Sequence, residues 1–310
     1  PEAACHHPVI TPERPTVDTV VSTPARLGEC PVWSDAERVL YWVDIDGRAV
    51  HRYDPASGRD QNRTTPGRPG AIALTSIAGR LLLAAEHQVG WFSWEDGGFE
   101  PWLDLESAGT GNRLNDGRCD PGGRFWVGSM YERPAEQRFT GMLHRVDPDG
   151  AHAVVRDKVG ISNALAFSPD GLIMYWADTL RATIWAHAYD VESGEPGPPR
   201  VFVDFADLPG VPDGACVDST GAVWVACVNG SAVARFTPDG GLDRLLRLPV
   251  DKPSMPAFGG RELDTLYLTS IGDADSASAP SQTAAGGQLL ALDPGVRGLP
   301  EPAFAASGVG

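Results

Sequence analysis

Basic side chains are scarce in this sequence: 25 Lys and Arg stand against 41 Asp and Glu, a formal charge of −16. Phosphate binding needs clustered cations, so neither nucleic acid nor an anionic membrane is an expected partner. Long apolar runs are missing as well, and none approaches the ~20 residues of a membrane-spanning helix. No basic stretch leads into an apolar segment as in a secretory signal, which makes the cytoplasm the expected location. The sequence opens at Pro1 rather than Met, so an upstream segment is allowed for. Cysteines are few (Cys5, Cys30, Cys119, Cys216, Cys227), odd in number and without a C-x-x-C pair, which does not suit a disulfide framework. Cys30, Cys119 and Cys216 fall in apolar stretches and read as small buried hydrophobes. None of the seven histidines builds an H-E-x-x-H or H-x-x-E-H zinc motif, and His87 and His144 read as strand or loop residues. A G-x-S-x-G nucleophile elbow is also absent. PGRPG and GEPGPP lack the strand–turn–helix context of a phosphate loop and read as connections.

What is abundant points to short strands. Gly 36 and Pro 27 make about a fifth of the chain, and nine Trp are spread along it. Six apolar or aromatic runs recur: YWVDI from Tyr41, LLLAAE around Leu82, FWVGSM from Phe125, YWADT from Tyr175, VWVACV from Val223 and LYLTSI from Leu266. Their spacings are 41, 43, 50, 48 and 43 residues. Hairpin-like turns precede most of them: SDAER, DPGGR, SPDG and DSTG. Strand, tight turn and strand at this period predict a six-bladed β-propeller with four antiparallel strands per blade. A β-sandwich has no reason to repeat one unit six times, and a doubly wound α/β fold needs helices that the Gly and Pro density excludes. Thr16–Val21 is expected to supply the outer strand of the last blade and close the ring. Residues 1–15, with Cys5-His6-His7 and a proline-rich stretch, read as a loose lead, and 16–310 as one domain. Trp42 and Trp176 are expected as core between neighbouring blades.

The repeat register exposes a ring of equivalent positions. Counting back six residues from Asp35, Pro121, Pro169 and Ser219 gives Glu29, Asn115, Asn163 and Asp213. The remaining two copies give Gly70 or Ala71, and Ser254. Each position opens an innermost strand, so these side chains converge at one mouth of the central channel. A carboxylate there is expensive to bury alone, and a bound cation would offset that expense. Oxygen donors without His or Cys suit a hard divalent ion, and two carboxylates leave room for water and substrate. Taken singly, each residue is also an ordinary turn former.

The chain also resembles the regucalcin/gluconolactonase family of metal-dependent sugar lactonases. The resemblance lies in LGECPVW (27–33), NRLNDGRCDPGGRFWVGSM (112–130), ISNALAFSPDG (161–171) and VPDGACVDSTGAVWVACVNG (211–230), with LPVDKPSMPAFGG (248–260) and GGQLLALDPGVRG following. It implies a six-bladed propeller holding one divalent ion, Ca²⁺ first, with Mg²⁺, Mn²⁺ or Zn²⁺ as options. By that resemblance Glu29, Asn163 and Asp213 are metal ligands, Arg113 and Asn115 bind the sugar lactone, and Asp116 lies beside it. Glu132-Arg133 departs from the paired acidic residues of the family's mammalian members, which bears on which sugar is taken.

The expected activity is hydrolysis of a sugar lactone, with the ion polarising the carbonyl and Asp213 as general base. The alternatives are a calcium-binding regulatory or scaffold propeller, and a calcium-dependent phosphotriesterase- or arylesterase-like hydrolase. Specificity is expected to reside in the loops 129–140 and 270–288.

Overall fold

Residues 11–275 and 279–306 are described by the structure, a computed structural model; Cys5-His6-His7 lies outside them. Six four-stranded antiparallel sheets are formed, and five of them take four consecutive strands in simple meander order. Their innermost strands are Gly28–Ser34, Pro69–Leu74, Asn112–Cys119, Ser162–Phe167 and Val211–Val217, with Pro253–Gly259 opening the sixth blade. That last blade is completed from the other end of the chain, because Asp18–Val21 pairs antiparallel with Leu289–Leu292. The ring therefore closes as a six-bladed propeller, the closing strand starting two residues later than the expected Thr16. Ahead of it, Glu13 bridges Leu246, its N–H donating to Leu245 O at 2.9 Å. Among the described residues the only helical elements are two short 3₁₀ turns, Pro134–Glu136 and Thr179–Arg181. No described helix is long and apolar enough to cross a membrane.

Both faces of a blade are covered by its neighbours, so the second strands are apolar on both sides rather than alternating. Tyr41 and Trp42 illustrate this: adjacent in sequence, they point to opposite faces. Tyr41 packs with Ile72 and Phe92 of blade two, Trp42 with Tyr267 and Leu289 of blade six. Trp176 fills the space between blades three and four with Trp126 and Leu143. Trp42, Trp126, Trp176 and Trp224 are all at most 2% exposed. Each buried indole N–H needs an acceptor, and each has one: Asp60, Tyr189, Ser162 and Asp218 respectively. Cys30, Cys119, Cys216 and Cys227 are free and buried. The far end of the channel is crossed by the C-terminal segment, where Phe304 is 1% exposed against Trp91 and Trp102 and its N–H donates to Leu74 O.

Candidate active site

Each inner strand breaks its pairing register near its start. The breaks fall between Glu29 and Val32, Leu114 and Gly117, Asn163 and Ala166, and Pro212 and Ala215. An extra residue at such a break bends the strand and re-aims the side chain beside it. Cys30 (φ 44°) and Ala164 (φ 53°), directly after Glu29 and Asn163, sit in the left-handed region that non-glycine residues seldom enter. The acidic residue closing each YWxD run fixes the approach to these strands. Asp44 accepts from the N–H groups of Arg26 and Leu27, and Asp178 from those of Gly160 and Ile161. Backbone two residues before Glu29 and Asn163 is thereby pinned.

Glu29, Asn115, Asn163 and Asp213 meet in one cavity of 510 Å³, together with Arg113, Thr179 and Lys252. The other two ring positions contribute nothing to it. At Gly70 a Cβ would lie 2.5 Å from Leu114 O, so the close passage of blade three demands glycine. Ser254 is fully buried and spends its hydroxyl on Gly28 O and Thr269.

A chain of hydrogen bonds fixes which atoms face inward. Thr179 donates its hydroxyl hydrogen to Pro212 O at 2.7 Å, so its oxygen can only accept from Asn163 Nδ2, at 2.8 Å. That turns Asn163 Oδ1 towards Asn115, whose Nδ2 reaches it at 2.9 Å while also donating to Ser162 O. Asn115 Oδ1 in turn accepts from Arg113 at 2.7 Å, and the same guanidinium nitrogen donates to Leu114 O.

The carboxylates are less comfortable. Among the described residues neither Glu29 nor Asp213 has an ion pair; Glu29 accepts only the N–H of Cys30, at 3.1 Å. Burial first pushes both well above the ordinary carboxylate range; repulsion from Asp213 and then Asp116 adds to it at Glu29, and repulsion from Asp116 at Asp213, with Arg113 opposing at both. Burial also raises Asp116 to about 6 and lowers Arg113 to about 10. Asp116 does not line the cavity; its Oδ2 accepts from Leu165 N at 2.9 Å and its Oδ1 is buried without a partner. Glu132 is likewise outside the lining, paired with Arg68 at 3.0 Å. No group of three or more His, Cys, Asp or Glu that could hold a metal is found among the described residues. The converging oxygens instead mix two carboxylates with an amide. Two buried carboxyl groups without an ion pair, beside an amide oxygen turned inward, fit a hard divalent cation. Sequence reasoning passed over Thr179 and Lys252, although both stand inside the motifs YWADT and LPVDKPSM.

A sequence profile described as "SMP-30/Gluconolactonase/LRE-like region" matches residues 27–272. A 6-deoxy-6-sulfogluconolactonase of Pseudomonas putida is 38% identical, covering 94% of this chain and 99% of its own. A pentonolactonase of Haloferax volcanii is 35% identical over 92% of this chain and 97% of its own. The crystal structure of a calcium-binding protein, regucalcin, from Agrobacterium tumefaciens superposes with a TM-score of 0.88 at 29% identity, covering 96% of this chain and 99% of that one. On the profile match and these end-to-end similarities, the chain belongs to the SMP-30/gluconolactonase/LRE-like family.

Proposed function

We propose that this chain is a hydrolase that opens a sugar lactone to its aldonic acid with the help of one divalent ion, Ca²⁺ first. The observation that carries the reading is the unpaired, buried couple Glu29 and Asp213, facing one cavity with an inward amide oxygen and a fixed guanidinium. The names of the lactonase relatives from Pseudomonas putida and Haloferax volcanii support the reaction class. The calcium-binding regucalcin supports the ion.

Glu29, Asn163 and Asp213 would hold the ion, Asn163 through the second lone pair of the Oδ1 that also accepts from Asn115. When bound, a divalent ion supplies Lewis acidity to the lactone carbonyl and acidifies nearby water. Arg113, braced by Leu114 O and Asn115 Oδ1, orients the ring oxygens and contributes positioning rather than bond making. Asp213 takes the proton from the attacking water as the new C–O bond forms at the carbonyl carbon. It returns a proton to the ring oxygen as the ester C–O bond breaks. Leu27, Met130, Ile161, Val211 and Ile271 form an apolar part of the wall, which strengthens the electrostatic interactions inside.

A pH-drop assay over a series of aldonolactones, with and without chelator and with several divalent ions, tests the reading. Opening of at least one lactone, lost on chelation and restored by the ion, is expected. Ion binding without any lactone turnover would instead favour a calcium-binding regulator, and turnover undiminished by chelation would remove the ion from the mechanism.

A further inference from the structure

Four cationic side chains are buried among the described residues: Arg113, Arg118, Arg235 and Lys252. In a chain with a formal charge of −16, carboxylates are available to pair with all of them. Two are paired in that way. Arg118 meets Glu301 at 3.0 Å, and Arg235 meets Asp218 at 2.8 Å as well as Asp243. The other two are not, and both line the same cavity. Arg113 is accounted for by its bonds to Leu114 O and Asn115 and by its attraction to Glu29 and Asp213. Lys252 is not accounted for. It is 7% exposed, and among the described residues its ammonium donates only to the backbone carbonyl of Ala279.

A buried ammonium with one neutral acceptor and, among the described residues, no partner for its other two donors is an expensive arrangement unless an anion completes it. Placement excludes Glu29 and Asp213 as that anion, since neither forms an ion pair with Lys252. Its backbone carbonyl is anchored by Ile271 N at 2.9 Å, immediately before the inner strand of blade six. Blade six lies opposite blade three, which carries Arg113, so the two cations enter the cavity from opposite sides of the ring. The 3₁₀ turn at Pro134–Glu136 borders the cavity through Pro134 and Ala135, with two exposed arginines flanking it outside the lining. Arg133 and Arg138 share the single carboxylate Glu136, at 2.9 and 2.6 Å, and both guanidinium groups lie over the Tyr131 ring.

We propose that the substrate is a lactone carrying a second, anionic substituent away from the ester, such as a terminal sulfonate, carboxylate or phosphate. Lys252 is the residue that reads it. The inference rests on the lactonase reading and adds the substrate class to it. Arg113 and the oxygen donors address the lactone end, and Lys252 addresses the charge at the far end of the same molecule.

The test compares kcat/KM for neutral gluconolactone with gluconolactones bearing sulfonate, carboxylate or phosphate at the terminal carbon, for the protein as it stands and for Lys252→Met and Lys252→Arg. The unsubstituted protein is expected to prefer at least one anionic lactone by about 10-fold or more. Lys252→Met should lower the anionic-to-neutral ratio by about 10- to 100-fold, the size of one charge-assisted hydrogen bond, with most of the loss in KM. Lys252→Arg should recover part of it. A second measurement avoids the variants altogether: rising ionic strength should depress kcat/KM for the anionic lactone and leave the neutral one flat. Preference for the neutral lactone, or a ratio unmoved by Lys252→Met, overturns the proposal while leaving the lactonase reading intact. If no lactone of either kind is opened, the lactonase reading falls and this proposal with it.

Discussion

Asp116 gives the most direct energetic test of the site. Its Oδ2 has one donor, Leu165 N, and its Oδ1 has none, while burial lifts its pKa from the ordinary 3.8 to about 6. A carboxyl whose folded-state pKa is raised binds its proton more tightly folded than unfolded. Its contribution is therefore fully present below pH 4 and is lost as pH rises through about 6. At ~1.4 kcal/mol per pH unit, the difference between those values is about 3 kcal/mol of destabilisation, complete by pH 8. Asp116→Asn keeps an oxygen for Leu165 N and removes the charge. In chelator at pH 8 the variant should be more stable by up to about 3 kcal/mol. For a chain of this length, with an unfolding entropy of ~2 cal/mol/K per residue, that is a rise of about 4–5 °C in Tm. The gain should shrink towards nothing by pH 4. Because Asp116 also repels Glu29 and Asp213, the variant should show a smaller Ca²⁺-induced rise in Tm than the unsubstituted protein. Differential scanning calorimetry in EDTA across pH 4–8, repeated with Ca²⁺, measures both. A variant less stable than the parent at pH 8 by the same amount as at pH 4 would show that the Asp116 carboxylate has a structural partner, and the reasoning would fail.

Three further outcomes are expected. Glu29→Gln and Asp213→Asn should each reduce the divalent ion retained per chain after dialysis, measured by plasma emission spectrometry; undiminished content would remove them from the ligand set. Asp213→Asn should lower kcat by ~10²–10⁴-fold, the usual range for loss of a general base, whereas Asn115→Ala should act mainly on KM; near-normal turnover in Asp213→Asn would sink its role as base. Phe304→Ala should destabilise the protein by about 3–5 kcal/mol, as other large-to-small core changes do, with kcat/KM unaltered at a temperature where it is folded; a change in activity without a change in stability would place the C-terminal segment in the catalytic machinery.

The six-blade architecture was legible because every blade uses the same strand–turn–strand unit, and its turns are chemically conspicuous. Counting back from those turns picked out Glu29, Asn115, Asn163 and Asp213, which line one cavity, since a hairpin locks the residue number between turn and strand start. It failed to yield donors where tertiary contacts decide. Gly70 is glycine because a neighbouring backbone passes too close, and Ser254 is turned onto Gly28 O. Asp116 follows Asn115 directly, yet it leaves the cavity because the register break between Leu114 and Gly117 sends it to Leu165 N. Thr179 and Lys252 were invisible for another reason. Neither is placed by its own repeat position: Thr179 sits on a 3₁₀ turn after a second strand, and Lys252 matters through what it lacks, a carboxylate partner.

The same register breaks explain why this fold suits an oxygen-ligand site at all. A regular inner strand would alternate its side chains between the two flanking blades, both apolar, and present none to the axis. An irregularity close to the channel mouth frees one side chain per blade from that alternation, and six-fold repetition brings the freed side chains together. The strain at Cys30 and Ala164 accompanies this re-aiming. The chemistry of the site is then decided by which residue type each blade places at the break. Here that is a carboxylate from blades one and five, an amide from blades three and four, and from blades two and six only a glycine and an inward-bonded serine. The donors thus come from blades one, three, four and five, and blade six, which supplies none, is where Lys252 enters.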